Sequence, residues 1–127
     1  MAVNPKARYL AEAVATASPA RLVCMLYDRL ALDIVNGRDA LLGADKTMAD
    51  KHLRHAQEIV FELRGSLRVD AWEGAPRLAS VYGWLLKELV QANVDRDAVK
   101  ADECRKLVEP LRDAWHGAAA QLMAQAG

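Results

Sequence analysis

The sequence predicts an all-α fold, an antiparallel up-and-down four-helix bundle with a short N-terminal leader that is helical or extended. Three observations lead there. Alanine and leucine dominate the 127 residues while β-branched residues are sparse, a composition that favours helix over strand. Apolar positions recur at spacings of three and four, the period of one helical face. Turn-forming residues fall in a few clusters that leave four long segments between them. The size suits a single domain, residues 1–127, with a core that needs no disulfide or metal.

The leader, residues 1–16, carries Tyr9, Leu10, Ala13 and Val14, enough for an amphipathic turn or two lying on the bundle and too short for a stable helix alone. Helix one is expected over 18–42. Ser18 is a suitable N-cap, and Pro19 lacks the amide that a first turn leaves unpaired. Val23, Leu26, Leu30, Ile34, Gly37 and Leu41 form one stripe and Met25, Leu32, Val35 and Leu42 a second. Gly43 is the expected left-handed stop, and Asp45 caps the next helix.

Helix two, 46–67, is the cleanest heptad: Ala49, Leu53, Ala56, Val60, Leu63, Leu67. Residues 68–76 read as a loop closed by Gly74 and Pro76, with Pro76 opening helix three over 76–93 on Leu78, Val81, Tyr82, Leu85, Leu89 and Ala92. An acidic turn around 93–97 leads to helix four, 97–124, on Ala101, Cys104, Leu107, Val108, Leu111, Trp115, Ala118 and Leu122. Pro110 interrupts its hydrogen bonding. Because Leu107, Leu111 and Trp115 stay in phase across it, a kink is expected and not a break. Short connections make successive helices antiparallel.

Composition excludes several functions. Seventeen basic residues balance seventeen acidic ones, so there is no excess charge to drive binding to nucleic acid or anionic membrane. The longest apolar run, Leu22 to Tyr27, is far below the roughly 20 residues that cross a bilayer, so no membrane insertion is expected. No apolar signal-peptide core follows the N-terminus. Cys24 and Cys104 lie far apart inside apolar stretches and read as reduced core thiols. A cytoplasmic protein is expected.

Helical bundles often hold metals through Glu-x-x-His pairs on facing helices, and every glutamate here lacks the histidine three places on. His52 and His55 sit three apart and form half of a metal site, with no third or fourth ligand to name; two half-exposed helix histidines are the simpler reading. No metal or other cofactor is therefore expected. Ser18, Ser66 and Ser80 lack a nucleophile-elbow context, and an apolar mid-helix setting disfavours a thiolate at Cys24. No glycine-rich phosphate loop is present. The chain reads as a protein without enzymatic activity.

What remains is apolar surface. Helix one has two stripes, and helix three adds Trp84, Leu86 and Val90 outside its main one. Such patterns fit either central helices of a closed bundle or a groove that receives an apolar partner segment.

Asn4-Pro5 with Tyr9, Val14, Thr16-Ala17-Ser18-Pro19 and Met25-Leu26-Tyr27-Asp28 stand in order along the chain. Ala56-Gln57-Glu58-Ile59-Val60-Phe61-Glu62-Leu63 come next, then Tyr82, Leu89-Val90-Gln91-Ala92-Asn93 and Arg112-Asp113-Ala114-Trp115. This series resembles the flagellar secretion chaperone family FliS over about residues 4–118. The resemblance implies a small antiparallel bundle that binds the disordered C-terminal segment of flagellin in the cytoplasm, prevents premature polymerisation and delivers it to a component of the flagellar export gate. It further implies that the leader covers part of the groove until flagellin replaces it.

On that basis Tyr9, Val14, Leu22, Met25, Leu26, Tyr27, Tyr82, Leu86 and Leu89 are the residues expected to line or flank the partner surface. Asp28 is expected to orient groups near a helix end or to be solvated, and Trp115 to belong to the core. The sequence departs from the family pattern at Lys6, Arg29, Gly83, Trp84, Leu86 and Pro110. The competing reading is a helical bundle with a structural or oligomeric role, a homodimer burying the same stripes.

Overall fold

At the turns between helices, local hydrogen bonds replace some of those that helix ends cannot make themselves. The computed structural model describes residues 19–126, in four helices: α1 Pro19–Leu42, α2 Lys46–Ser66, α3 Ala75–Asp95 and α4 Ala98–Ala126. The expected cap at Ser18 lies outside the described residues. No strand occurs among them.

The turn after α1 differs from expectation in its detail. Gly43 still donates its amide to the Asp39 carbonyl at 3.0 Å, so it continues the helical path, and Ala44 takes the left-handed conformation with φ of 57°. The Asp45 amide then reaches back to the Ala40 carbonyl at 2.9 Å, closing the helix end. The Asp45 carboxylate accepts from the Met48 amide at 3.1 Å, capping α2 as its sequence position predicts.

Gly74 precedes α3 and Pro76 sits in its first turn, where a missing amide has no helical partner to lose. A Cβ on Gly74 would lie 2.1 Å from the Trp72 ring, so only glycine lets that indole fold against the backbone. The α3–α4 turn uses Arg96 at φ 55°, and the Asp97 carboxylate caps α4 through the Lys100 amide at 3.0 Å. α3 runs past 93 because Asn93 does not make the turn. Its amide Nδ2 donates to Asp50 Oδ1 on α2 at 2.9 Å. α4 passes through the exposed Pro110 as one element.

Helix α1 packs on α2 and α4, and α3 packs on the same two. α1 and α3 are therefore diagonal, as are α2 and α4. The direction of each neighbour is set by its cross-links. Gly37 sits over Leu53 and Asp33 beside His55. Arg38 bonds Asp102 at 2.7 Å while Asp28 bonds His116. In both pairs of helices, position rises along one as it falls along the other, the antiparallel up-and-down arrangement.

Tyr27, Leu30 and Ile34 of α1, Leu53, Val60 and Leu63 of α2, Leu78, Tyr82, Leu85 and Leu89 of α3 and Cys104 and Val108 of α4 are buried together. Each fully buried leucine or isoleucine among them contributes about 1.5–3 kcal/mol relative to exposure. The buried part of α4 stops at Val108. Beyond it Leu111 and Trp115 are half-buried against the core, and Leu122 and Met123 are exposed. Trp115 stacks on Tyr27 with ring centroids 6.3 Å apart.

Candidate functional site

Residues 22, 25, 29 and 32 alternate by three and four, so they form one stripe on α1. In the structure it faces outward: Leu22 is 42% exposed, Met25 52% and Leu32 47%, with the exposed Arg29 between them. An outward apolar stripe on a helix already packed on two neighbours has no internal purpose in the fold.

The remaining expected residues are distributed differently. Leu26 on α1 and Leu86 on α3 are half-buried, packed against the core with an edge to solvent. Tyr27, Tyr82 and Leu89 lie inside the core. Tyr9 and Val14 lie outside the described residues. Because α1 and α3 are diagonal, Leu22 and Met25 do not share a face with Leu86. Sequence periodicity shows which residues share a helix side but not which helices are neighbours.

The core beneath this surface is polar at two points. The phenol oxygens of Tyr27 and Tyr82 are 2.7 Å apart in a buried hydrogen bond across the diagonal. Burial pushes both phenols above their ordinary value, and the shared hydrogen bond raises Tyr82 further. Asp33, fully buried on α1, faces His52 and His55 of α2. His55 Nδ1 is hydrogen-bonded to Asp33 Oδ2, while Oδ1 lies 3.3 Å from Arg29 Nε and 3.8 Å from His52 Nδ1. Neither of those approaches has hydrogen-bond geometry, so Oδ1 is unbonded.

This arrangement explains the histidine pair: both rings turn toward a buried carboxylate. Among the described residues no three or more His, Cys, Asp or Glu side chains are placed to hold a metal. Asp33 was not legible in the sequence, since an aspartate beside an apolar stripe reads as a solvated residue.

The thiols are inert by environment. Burial, assisted by Glu88 and Glu103, pushes Cys104 up to about 12, and burial followed by Asp28 raises Cys24; both are free cysteines. A thiolate is disfavoured at each. Asp28 is mid-helix and exposed, not at a helix end, and accepts a 2.7 Å hydrogen bond from His116 Nε2 of α4.

A cavity of about 240 Å³ opens at the end of the bundle where α2 gives way to the 67–74 connection. Val23, Leu63, Leu67, Trp72, Tyr82 and Trp115 form its apolar wall, with Arg68 at hand. The sequence places Trp72 only in a loop; a tryptophan in a short polar connection was the signal, and the structure leaves it 49% exposed. No helix among the described residues is long and apolar enough to cross a membrane.

Comparison with known proteins gives one consistent result. The family model described as "Flagellar protein FliS" matches residues 2–122. The chain is 31% identical over 112 residues to the flagellar secretion chaperone FliS of Bacillus subtilis (strain 168), covering 88% of this chain and 84% of the relative. It is 30% identical over 105 residues to that of Salmonella typhimurium, covering 81% and 78%. With the Vibrio cholerae protein of the same name identity is 24% over 103 residues, covering 80% and 76%.

Proposed function

The chain belongs to the FliS family, an export-chaperone family and not an enzyme family, and from that premise we propose that it binds the C-terminal segment of flagellin in the cytoplasm. In this reading it keeps flagellin from polymerising early and passes it to a component of the flagellar export gate. The observation that carries the reading is the outward stripe of α1, where Leu22 and Met25 stand 42% and 52% exposed.

The diagonal relation of α1 and α3 defines the kind of partner. One rigid helix lying in a single groove would reach the α1 stripe or the edge of Leu86, but not both. A disordered segment can follow the bundle from one corner to the next, and it gives up its ordering entropy only on contact. Such coupled folding allows a large contact area with affinity low enough for release.

In this scheme Leu22, Met25, Leu26 and Leu86 touch the partner. Tyr27, Tyr82 and Leu89 act from the core by fixing the helices that present those side chains. Tyr9 and Val14 belong to the leader, proposed to compete with flagellin for the α1 stripe. Deleting residues 1–16 should then tighten flagellin binding.

The test is titration of the folded full chain with the C-terminal segment of its cognate flagellin, monitored by circular dichroism. A gain in helix beyond the sum of the separate components supports the reading. No gain and no binding at micromolar concentration would remove it.

A further inference from the structure

A charge interrupts the outward stripe of α1. Met25 lies four residues before Arg29 and Leu32 three residues after it, so the three side chains follow one another along one side of the helix at intervals of about 6 Å and 4.5 Å. All three are open to solvent: Met25 is 52% exposed, Leu32 47% and the Arg29 side chain 52%. A segment that covers both apolar side chains must also cover the guanidinium between them.

That guanidinium is held in place without being satisfied. Its Nε stands 3.3 Å from Oδ1 of Asp33, one turn further along α1, and the approach lacks hydrogen-bond geometry, leaving Oδ1 unbonded. Asp33 is fully buried and is bonded through its other oxygen to His55 of α2, so it tethers Arg29 from beneath. The other carboxylate close by on α1, Asp28, accepts from His116 of α4. Arg29 makes no hydrogen bond and has no second ion-pair partner among the described residues, although a guanidinium carries five donors.

The charge defines what can sit there. Apolar side chains laid over Arg29 would take it out of water and give nothing in return, a cost that opposes binding. A second cation would be repelled. A carboxylate meets both objections, because the planar fork of arginine can direct two parallel N–H donors at its oxygens.

We propose that Arg29 selects the partner segment: the flagellin stretch that covers α1 carries an aspartate or glutamate between two apolar residues. That carboxylate pairs with the Arg29 guanidinium while its apolar neighbours cover Met25 and Leu32. In a stretch that becomes helical on contact, the acidic residue stands three or four positions from each apolar one. The inference rests on the flagellin reading of the α1 stripe and adds to it the charge pattern of the partner.

Calorimetric titration of the C-terminal segment of the cognate flagellin into the full-length parent, Arg29→Gln and Arg29→Glu tests it, with circular dichroism confirming the fold of each. Arg29→Gln brings no negative charge toward Asp33, so it decides the matter even where Arg29→Glu disturbs the fold. Binding should weaken about tenfold for Arg29→Gln and about a hundredfold for Arg29→Glu. When the acidic residues of the segment are replaced by lysine one at a time, one replacement should weaken binding to the parent and improve binding to Arg29→Glu at least about tenfold. Equal affinity of the parent and Arg29→Gln overturns the proposal and leaves the flagellin reading standing. A folded Arg29→Glu that no replacement recovers does the same. A segment that fails to bind the parent removes the flagellin reading and this inference with it.

Discussion

The hydroxyl groups of Tyr27 and Tyr82 meet at 2.7 Å in the interior, joining two helices that stand diagonally across the bundle. Each phenol is the other's buried hydrogen-bond partner, and Trp115 also lies against Tyr27. Tyr27→Phe or Tyr82→Phe alone strands one hydroxyl and should cost about 1–3 kcal/mol in urea unfolding. Replacing both should cost less than the two single losses added, because no orphan remains.

The same burial makes stability fall in alkali. Folded Tyr27, Tyr82 and Cys104 hold their protons more tightly than the ordinary values of 10.0 and 9.0. Their contribution is complete below those ordinary values. Above them the unfolded chain releases protons that the folded chain retains, so stability declines as pH rises from about 9. Phenolate absorbance of these two tyrosines should therefore appear together with loss of ellipticity and not before it.

Acid acts on a different group. Arg105 and then Arg38, both hydrogen-bonded to its carboxylate, hold Asp102 well below the ordinary 3.8. A lowered folded value means stabilisation that is complete above the ordinary value and is lost as pH falls below it. Acid titration monitored by ellipticity should show a shallower decline below pH 4 for Asp102→Asn than for the parent.

Two helical glycines should respond with opposite sign. A Cβ at Gly37 would stand 2.6 Å from Leu53 Cδ2, so Gly37→Ala must displace a core leucine and should destabilise by about 1–3 kcal/mol. At Gly117 nothing lies within 4 Å, and Gly117→Ala should stabilise by about 0.5–1 kcal/mol through helix propensity. Denaturant midpoints of the two variants decide the matter.

These contrasts mark what a sequence can carry. The caps at Asp45 and Pro76 were legible because each depends on its own few neighbours. The choice of Ala44 over Gly43 as the left-handed residue was not, since it turns on which amide completes the last helical bond. Apolar spacing located the core stripe through Tyr27, Leu30 and Ile34 and the second stripe through Met25 and Leu32. It was silent on which stripe a neighbour covers, so Tyr27, Tyr82 and Leu89 were grouped with Leu22 and Met25 although they point inward. Asp33 and its histidines needed the third dimension, because the carboxylate and the rings sit on separate helices.

The central claim, that the α1 stripe recognises flagellin, is tested most directly by calorimetric titration of the C-terminal flagellin segment into the parent chain and into Leu22→Glu/Met25→Glu. Both replaced side chains are exposed, so the variant should keep its fold. Burying two carboxylates in an apolar contact should weaken binding at least about a hundredfold, on the order of 3 kcal/mol. Equal affinity for the parent and the folded double variant would contradict the account.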